Sequence, residues 1–323
     1  MENRISSDDR SGTLLDGRYE LVERLGQGGM AVVWRGIAHG AAGFRCPVAI
    51  KRINPEYRNY PEVIEMFVEE ARVGAALHHP NIVQAFDFRK DEEGNFYLVT
   101  ELVDGPHLGQ WVRAHRDRHK VLPWDLTVAI AIEVLKALEA AHNRLDHLGD
   151  VTPVLHRDVT PGNILLDRSG ATKLADFGLA RAMDRAPTTR PNVVKGKLSY
   201  LAPELVQGEA PSVKSDIFSL GVVLWEALSG KRLFDADTDI DVYRMLQSPK
   251  VPLLSMQRRD LPMSVTTAVH RALERLPVQR FQNARAMRET LTEALRVLPS
   301  PPDATAVARS IEEVLPSLRI RNR

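Results

Sequence analysis

The sequence predicts an α+β fold in which a small, mainly antiparallel β unit precedes a larger, mainly helical unit. Up to about residue 103 the pattern is strand-like and includes one stretch with helical spacing. After residue 104, stretches with helical periodicity dominate. A length of 323 residues is enough to bury the cores of both units. The predicted organisation is a flexible tail (1–17), a β-rich unit (18–103), a helical unit (104–297), and a linker with a short amphipathic segment (298–323).

The β-rich unit is predicted from residues that favour extended chain. YELVERLG and AVVWRGIA flank a glycine turn, and PVAIKRI and FYLVTELV supply two further strands. Between them, PEVIEMFVEEARVGAAL has helical spacing, and we expect this helix to pack on the sheet. Its predicted apolar face is formed by Ile64, Phe67, Val68, Ala71 and Ala75.

The helical unit is predicted from two long apolar segments. WDLTVAIAIEVLKALEAAH carries a single stripe, and SVKSDIFSLGVVLWEALSG is apolar on most sides, as expected for a buried central helix. The stripe is formed by Leu126, Ile130, Val134, Leu138 and Ala141. LPSPPD (298–303) is a linker, and the residues after it form a short helix that either docks or frays. The apolar face of that helix is formed by Val307, Ala308, Ile311 and Leu315.

Composition excludes several classes of partner and site. Forty-three basic and 42 acidic residues nearly cancel, so we expect no nucleic-acid partner. The apolar stretches are shorter than the ~20 residues of a bilayer span, so we expect no membrane span in this chain. A single cysteine, Cys46, excludes a disulfide framework, and the polar N-terminus is unlike a secretory signal. We therefore expect a cytoplasmic location.

Two motifs in the β-rich unit indicate phosphate binding. GQGGMAVV (26–33) is a glycine turn between strands, which lets backbone amides approach a phosphate, although an ordinary tight turn has the same pattern. VAIK ends at Lys51 on a predicted strand, where a lysine is most often solvated. Glu70 flanks the apolar stripe of the predicted helix and can point toward the sheet to pair with Lys51.

Two motifs in the helical unit carry candidate catalytic groups. In LHRDVTPGNILL, the carboxylate of Asp158 can accept a proton from a hydroxyl nucleophile. Asn163 and Asp176, the latter in LADFGLA, offer oxygen ligands suited to Mg²⁺. Each of these residues is also common in turns and caps, so the order of the motifs along the chain decides their interpretation.

In that order, with APE at 202–204, the motifs resemble the signature set of protein kinases, specifically the bacterial serine/threonine kind. The resemblance covers about 18–297. It implies a bilobal protein kinase fold with a small β N-lobe containing one key helix and a larger helical C-lobe. It also implies ATP-dependent phosphorylation of serine or threonine in protein substrates, with ATP and Mg²⁺, or alternatively Mn²⁺, as cofactors. An N-lobe homodimer is an expectation by analogy only.

The resemblance also implies residue roles. Asp158 would be the catalytic base, with Asn163 and Asp176 as metal ligands. Thr100 would guard the pocket behind the hinge, where the backbone of Glu101 and Val103 would bind adenine. The implied nucleotide-binding residues are Leu25, Gly26, Gly28, Gly29, Val33, Ala49, Lys51, Glu70, Thr100, Glu101, Val103 and Asp176, and the implied catalytic residues are Asp158, Lys51, Asn163 and Lys197.

Three further roles follow from the resemblance and are structural or regulatory. Glu204 should form an ion pair with Arg280, and Asp216 should anchor the catalytic loop. Arg157 suggests activation by phosphorylation of the segment between DFG and APE, because an arginine there needs an anion to order that segment. The expected acceptors in the segment are Thr188 and Thr189, with Ser199 less favoured.

The chain departs from the family pattern at two complementary positions. Thr160 stands where serine/threonine kinases usually carry a lysine, and Lys197 stands where they usually carry a threonine. Ala31 replaces the third loop glycine, which we expect to matter little. The two larger departures suggest an exchange in which Lys197 returns an ammonium to the same point, against the alternative of a solvated Lys197 and an impaired enzyme.

Two other functions are weighed against a protein kinase. An ATP-binding pseudokinase or scaffold is the alternative if Thr160 impairs catalysis, and labelled ATP would separate the two. A small-molecule phosphotransferase is disfavoured by the APE segment with Arg280, an arrangement that presents peptide substrates.

Overall fold

The computed structural model describes residues 10–118, 120–146, 148–177 and 197–319. These residues form two compact units. The first contains 10–78 and 83–103, and the second contains 79–82 and the described residues from 104 onward. None of the helices in these described ranges combines the length and apolar character needed to cross a bilayer.

The first unit is built on a six-stranded antiparallel sheet with strand order β1-β2-β3-β4-β6-β5. The four predicted strands are confirmed. The short β1 and the edge strand β5 were not predicted, although β5 precedes β6 through the turn DEEGN. The strands are β1 (Leu14–Leu15), β2 (Tyr19–Gln27), β3 (Ala31–His39), β4 (Arg45–Ile53), β5 (Ala85–Lys90) and β6 (Phe96–Glu101).

Helix α1 (Pro61–Ala76) packs on one face of this sheet, as predicted. Its core contacts come from Val63, Phe67 and Ala71, which cluster with Ile53 and Leu98 of the sheet. The predicted apolar face was therefore partly wrong. Ala75 is exposed, and Ile64 and Val68 are only half-buried. The buried stripe is rotated because Val63 and Met66 extend the apolar surface on the other side of Phe67.

The second unit is mainly helical, with one short hairpin. Helix α5 (Val213–Ser229) is buried continuously from Ser215 to Leu228, which confirms the predicted central helix. Every residue of the predicted stripe on α3 (Trp124–His142) is buried. The hairpin is β7 (Ile164–Leu166) and β8 (Thr172–Leu174). The helices are α2 (Leu108–Asp117), α3 (Trp124–His142), α4 (Pro203–Val206), α5 (Val213–Ser229), α6 (Asp239–Gln247), α7 (Leu254–Gln257), α8 (Met263–Ala272), α9 (Ala284–Arg296) and α10 (Ala304–Arg319).

The C-terminal helix α10 docks onto the second unit, which resolves the choice that the sequence left open. Val307, Ile311 and Val314 are buried, whereas the predicted Ala308 and Leu315 are half-buried. The buried indole of Trp111 on α2 donates a hydrogen bond to Ser310 Oγ at 3.1 Å. At the tip of the β7–β8 hairpin, Arg168 Nε lies 2.9 Å from Glu312 Oε1, and the backbone of Gly170 adjoins Ala304. Helix α10 is therefore an integral part of this unit.

Replacing Gly170 with alanine should displace α10. Gly170 has φ +88°, and a Cβ there would lie 1.8 Å from the Ala304 carbonyl oxygen. Gly149 is a matched control because its φ is +86° and a Cβ there would meet no atom within 4 Å. Both substitutions incur about 1–2 kcal/mol of left-handed strain, and Gly170→Ala should lose about 1–3 kcal/mol more through overpacking. Equal losses in chemical denaturation would contradict this expectation.

Candidate active site

One face of the first unit's sheet carries several of the predicted nucleotide contacts. Val33 lies opposite Lys51, and Ala49 lies opposite Thr100 in the strand register. Cross-strand partners share a face, as do residues two apart on one strand. Val33, Ala49, Lys51 and Thr100 therefore project from one face of the sheet, the face on which α1 packs.

Lys51 and Glu70 form an ion pair on this face. Lys51 Nζ lies 2.6 Å from Glu70 Oε1, and the two side chains are only 12% and 4% exposed. The pair forms because β4 presents Lys51 to the face covered by α1, and α1 buries Glu70 together with its apolar stripe. A lysine held in this way is fixed in direction, which suits it to a polyphosphate.

The glycine loop between β2 and β3 leaves room above its backbone. Gly28 N donates to Ala31 O at 2.8 Å, which closes the turn. A Cβ added at Gly26 would meet no atom within 4 Å, and one at Gly28 would meet only Ala31 O at 3.6 Å. Internal packing therefore does not require glycine at these positions, whereas a phosphate approaching the backbone would need that space. Leu25 sits in a β-bulge beside the loop and is 46% exposed.

Asn54, directly after β4, holds the glycine loop through hydrogen bonds. This role was not predicted from the sequence. Its side chain is buried, and Nδ2 donates to Gly29 O at 3.2 Å and more weakly to Gly28 O. Its backbone N donates to Met30 O at 2.8 Å. An asparagine after a strand is a common turn residue, so the sequence carried no signal for this role.

The predicted hinge residues lie at the end of β6, which contains Thr100 and Glu101, and just after it, at Val103. Glu101 N donates to Gln84 O at 2.9 Å, and Gln84 N donates to Glu101 Oε1 at 2.8 Å. The amide of Glu101 is therefore engaged within the unit, which narrows the expected adenine contact at this residue to its carbonyl. Val103 is half-buried, and no described residue forms a hydrogen bond with its backbone.

In the second unit, Asn163 holds the carboxylate of Asp158. Asn163 Nδ2 donates to the backbone O of Asp158 at 2.8 Å and to its Oδ2 at 3.0 Å. Because the amide nitrogen makes both bonds, the amide oxygen of Asn163 points away from them. No described residue donates to the other carboxylate oxygen, Oδ1 of Asp158. One oxygen of the carboxylate is thus anchored, and the other is open.

The β7–β8 hairpin organises the two candidate metal ligands. Asn163 immediately precedes β7, Asp176 follows β8 by two residues, and Ala175 N donates to Asn163 O at 2.9 Å. Asp176 adopts φ +63°, a left-handed conformation that is uncommon for a residue other than glycine. An amide oxygen and a carboxylate are hard donors, and the set fits Mg²⁺. Within the described ranges, no group of three or more His, Cys, Asp or Glu forms a metal site.

His156 links the loop of Asp158 to the segment of Asp176. Its imidazole is fully buried, and Nδ1 accepts from Asp158 N at 3.2 Å. With Nδ1 as acceptor, Nε2 carries the proton and donates to Ala175 O at 2.9 Å. The ring also packs edge-on against Phe177 at 4.5 Å. No role was predicted for this histidine from the sequence.

Asp216 anchors the same loop from α5, as expected. Its carboxylate accepts from His156 N at 2.9 Å, from Arg157 N at 2.7 Å and from His142 Nε2 at 2.8 Å. These bonds hold Arg157 at φ +64°. Burial alone would raise the pKa of Asp216, but the hydrogen bonds from His142 and His156 outweigh it and lower the pKa below 3.8.

Glu204 and Arg280 form the expected ion pair. The two guanidinium nitrogens each lie 2.7 Å from one carboxylate oxygen, and both side chains are buried. Burial by itself would raise the pKa of Glu204, but the hydrogen bonds and charge of Arg280 outweigh it and hold the pKa below 4.5. Bidentate geometry of this kind fixes direction as well as distance.

These two carboxylates predict how stability depends on pH. Because the pKa values of Asp216 and Glu204 are lower in the folded chain, the unfolded chain binds protons more readily. Their contribution is complete above the ordinary values, 3.8 and 4.5, and is lost as pH falls through the folded-state values. We therefore expect the free energy of unfolding to fall below about pH 4.5. Denaturant titrations that give a constant value down to about pH 3 would contradict this.

Lys197 lies on the carboxylate of Asp158. Its ammonium donates to Oδ2, the oxygen that also accepts from Asn163. The Lys197 side chain is 42% exposed and that of Asp158 is 10% exposed. The structure therefore brings together two residues that are 39 positions apart in the chain.

The expected phosphorylation sites fall mainly outside the described residues. Thr188 and Thr189 both lie in the range from 178 to 196, which the structure does not describe. Ser199 is buried, and its hydroxyl donates to Phe234 O at 2.9 Å. A buried hydroxyl that already donates a hydrogen bond is poorly placed to accept a phosphoryl group. Thr188 and Thr189 therefore stay the expected phosphorylation sites.

Comparison with known proteins agrees with this arrangement. A family model described as protein kinase domain matches residues 19–297. The tyrosine-protein kinase MasK of Myxococcus xanthus is 37% identical over 276 residues, which are 85% of this chain and 42% of MasK. The serine/threonine-protein kinase PknA of Mycobacterium tuberculosis is 34% identical over 319 residues, which cover 95% of this chain and 69% of PknA. The chain thus spans under half of the first relative's length.

Solved structures show the same fold. The kinase domain of PknI from Mycobacterium tuberculosis matches with a TM-score of 0.64 and 28% sequence identity. The match covers 88% of this chain and 98% of that domain. The predicted protein kinase fold, with its antiparallel sheet in one unit and helices in the other, is confirmed. The chain belongs to the protein kinase family.

Proposed function

We propose that this chain transfers the γ-phosphoryl group of ATP to serine or threonine hydroxyls of proteins. The observation that carries the proposal is the carboxylate of Asp158. Asn163 and Lys197 bind its Oδ2, and Oδ1 is left without a donor among the described residues. An open oxygen on an oriented carboxylate is suited to accept the proton of an acceptor hydroxyl.

In the proposed transfer, one bond to the γ-phosphorus forms as another breaks, and a residue of this chain accepts the hydroxyl proton. The acceptor oxygen bonds to the γ-phosphorus as the bond from that phosphorus to the β–γ bridging oxygen breaks. ADP leaves with the bridging oxygen, and the hydroxyl proton passes to Oδ1 of Asp158. Asn163, His156 and Asp216 keep the loop in place during this transfer, since their hydrogen bonds fix both the side chain and the backbone of the base.

The nucleotide would be held by groups on the first unit. Lys51, fixed by Glu70, would bind the phosphates, and the glycine loop at Gly26, Gly28 and Gly29 would cover them. The Asn163 amide oxygen and the Asp176 carboxylate on the second unit would bind Mg²⁺ or Mn²⁺. That ion, when bound, neutralises charge on the phosphate oxygens.

The proposed acceptor residues are serine and threonine. MasK is named a tyrosine-protein kinase and PknA a serine/threonine-protein kinase, so the names of the two relatives indicate different acceptor residues. Pro161 after Thr160 resembles the serine/threonine version of the loop and supports hydroxyl acceptors of that kind. A proline there also fixes the backbone beside the substrate site.

Regulation and location extend the proposal. Phosphorylation at Thr188 or Thr189 would raise activity if the phosphate binds Arg157 and orders the segment between DFG and APE. A cytoplasmic location is supported by the single cysteine, Cys46, and an N-lobe homodimer stays an expectation by analogy. These features concern the whole protein. MasK extends beyond the region that this chain matches.

Incubation of the full chain with ATP and Mg²⁺, followed by mapping of phosphorylated residues, tests the proposal. Asp158→Asn serves as the control for contaminating kinases. We expect phosphoserine or phosphothreonine in the wild-type chain and a generic protein substrate, and almost none with the variant. Phosphotyrosine alone would overturn the acceptor assignment. Absence of any transfer, with ATP still bound, would favour a pseudokinase.

A further inference from the structure

We infer that Lys197, from the segment preceding APE, is a catalytic residue that supplies the positive charge at the transferred phosphoryl group. The inference deepens the proposed function and rests on it. Lys197 binds Asp158, the proposed base, although 38 residues separate the two in the chain. Thr160, two residues after the base, offers a hydroxyl but no charge.

The two carboxylate oxygens of Asp158 have different roles. Lys197 and Asn163 both bind Oδ2, so this oxygen is already saturated with donors. Oδ1 remains for the proton of the acceptor hydroxyl. The ammonium therefore does not compete with the hydroxyl for the same oxygen, and it lies beside the place where the acceptor oxygen attacks the γ-phosphorus.

Exposure also fits a catalytic charge better than a structural ion pair. The side chain of Lys197 is 42% exposed, whereas that of Asp158 is 10% exposed. The ammonium thus has protons directed to the open side, where a phosphoryl oxygen can accept them. Exposed ion pairs contribute about 0–1 kcal/mol to stability, so folding alone gives little reason for the pair.

The backbone of Lys197 is positioned from its C-terminal side. Lys197 caps the short 3₁₀ turn Leu198–Tyr200, and Ser199 Oγ donates to Phe234 O at 2.9 Å. Ser219 Oγ on α5 donates to Tyr200 O at 2.8 Å, and Tyr200 Oη lies 2.6 Å from Glu226 Oε2. The turn is therefore bonded to the helical core, and it delivers the lysine to Asp158.

In the reaction, the ammonium acts without losing its proton. As negative charge builds on the equatorial oxygens of the phosphoryl group, Lys197 donates a hydrogen bond to one of them. The proton of the acceptor hydroxyl passes to Oδ1 of Asp158 as before. Because this contact strengthens only in the transition state, its loss should lower kcat and leave ATP binding nearly unchanged.

Lys197→Ala, Lys197→Arg and the exchange Thr160→Lys/Lys197→Thr test the inference in the full chain. We expect Lys197→Ala to lose about 10²–10³-fold in kcat, the cost of removing one transition-state donor. The dissociation constant of ATP should stay within about threefold, since the lysine does not hold the ground-state nucleotide. Lys197→Arg should recover at least about tenfold of the loss, because it restores a charged donor. The exchange should recover a similar factor over Lys197→Thr alone.

Controls separate this inference from the proposed function. Lys231→Ala removes a surface lysine that binds the neutral Gln257 at 2.9 Å, and it should retain wild-type kcat. If the wild-type chain transfers no phosphoryl group, the proposed function fails first. If it does, and Lys197→Ala keeps kcat within about threefold, the inference is overturned. It is also overturned if kcat stays low in both the Arg and the exchange variants while their melting temperatures match wild type.

Discussion

Asp158→Asn is expected to lower the rate of phosphoryl transfer by about 10²–10⁴-fold, the usual contribution of a positioned general base. The amide has nearly the shape of the carboxylate but cannot take the hydroxyl proton. Its carbonyl oxygen can still accept from Asn163 and Lys197, which hold Oδ2 of the native residue. The loss should therefore fall on kcat, measured by steady-state kinetics with a fixed protein substrate.

The control for this variant is folding and nucleotide affinity. The loop is anchored mainly through the backbone, by Asp216 to His156 N and Arg157 N, and these bonds do not involve the Asp158 side chain. The melting temperature and the ATP dissociation constant should therefore stay close to wild type. A variant that folds normally and retains more than about a tenth of the wild-type kcat would contradict the assignment of Asp158 as base.

Arg280→Met is expected to lower the free energy of unfolding by about 3–5 kcal/mol. The guanidinium is fully buried and lies 2.7 Å from each oxygen of Glu204. Its removal leaves a buried carboxylate whose remaining side-chain partner among the described residues is the hydroxyl of Ser215, which donates to Oε1 at 2.9 Å. Urea denaturation of the full chain, with attention to the transition of the helical unit, measures the loss.

A second variant keeps this prediction testable if the first does not fold. Glu204→Leu/Arg280→Met removes both charges, so no carboxylate is left buried without its partner. We expect it to be more stable than Arg280→Met alone. It should not reach wild type, because the guanidinium also donates to the carbonyls of Glu274, Lys214 and Arg275. A single variant that loses less than about 1 kcal/mol would contradict the expected role of the pair.

The elements that could be predicted are those whose residues follow a repeating pattern. Helix α5 is apolar on most sides, so little choice of face arises, and the prediction of a buried helix was right. Helix α1 offers two overlapping apolar stripes, and only the sheet decides between them. Phe67 and Ala71 belong to both stripes, whereas Ala75 belongs to the wrong one and is exposed.

The residues of the candidate site also fall into those that the sequence can predict and those that it cannot. Lys51, Glu70, Asp158, Asn163 and Asp176 stand at fixed spacings in recognisable motifs, so a sequence can propose them. The role of Asn54 depends on a hydrogen bond to the loop carbonyls, and that of His156 on a hydrogen bond to Ala175 O, 19 positions away. Contacts between residues distant in sequence carry no local signal. The Lys197 contact was proposed only because two departures from one pattern were complementary.

Helix α10 shows that the family match and the folding unit end at different residues of this chain. The match to the family model ends at residue 297, before α10 begins at Ala304. The folding unit ends later, because Val307, Ile311 and Val314 are buried and the indole of Trp111 has its hydrogen-bond partner on α10. A fragment cut at the family boundary would turn part of this core into an exposed apolar patch. For this chain, a fragment that keeps this core covered therefore includes α10, which follows the region matched by the family model.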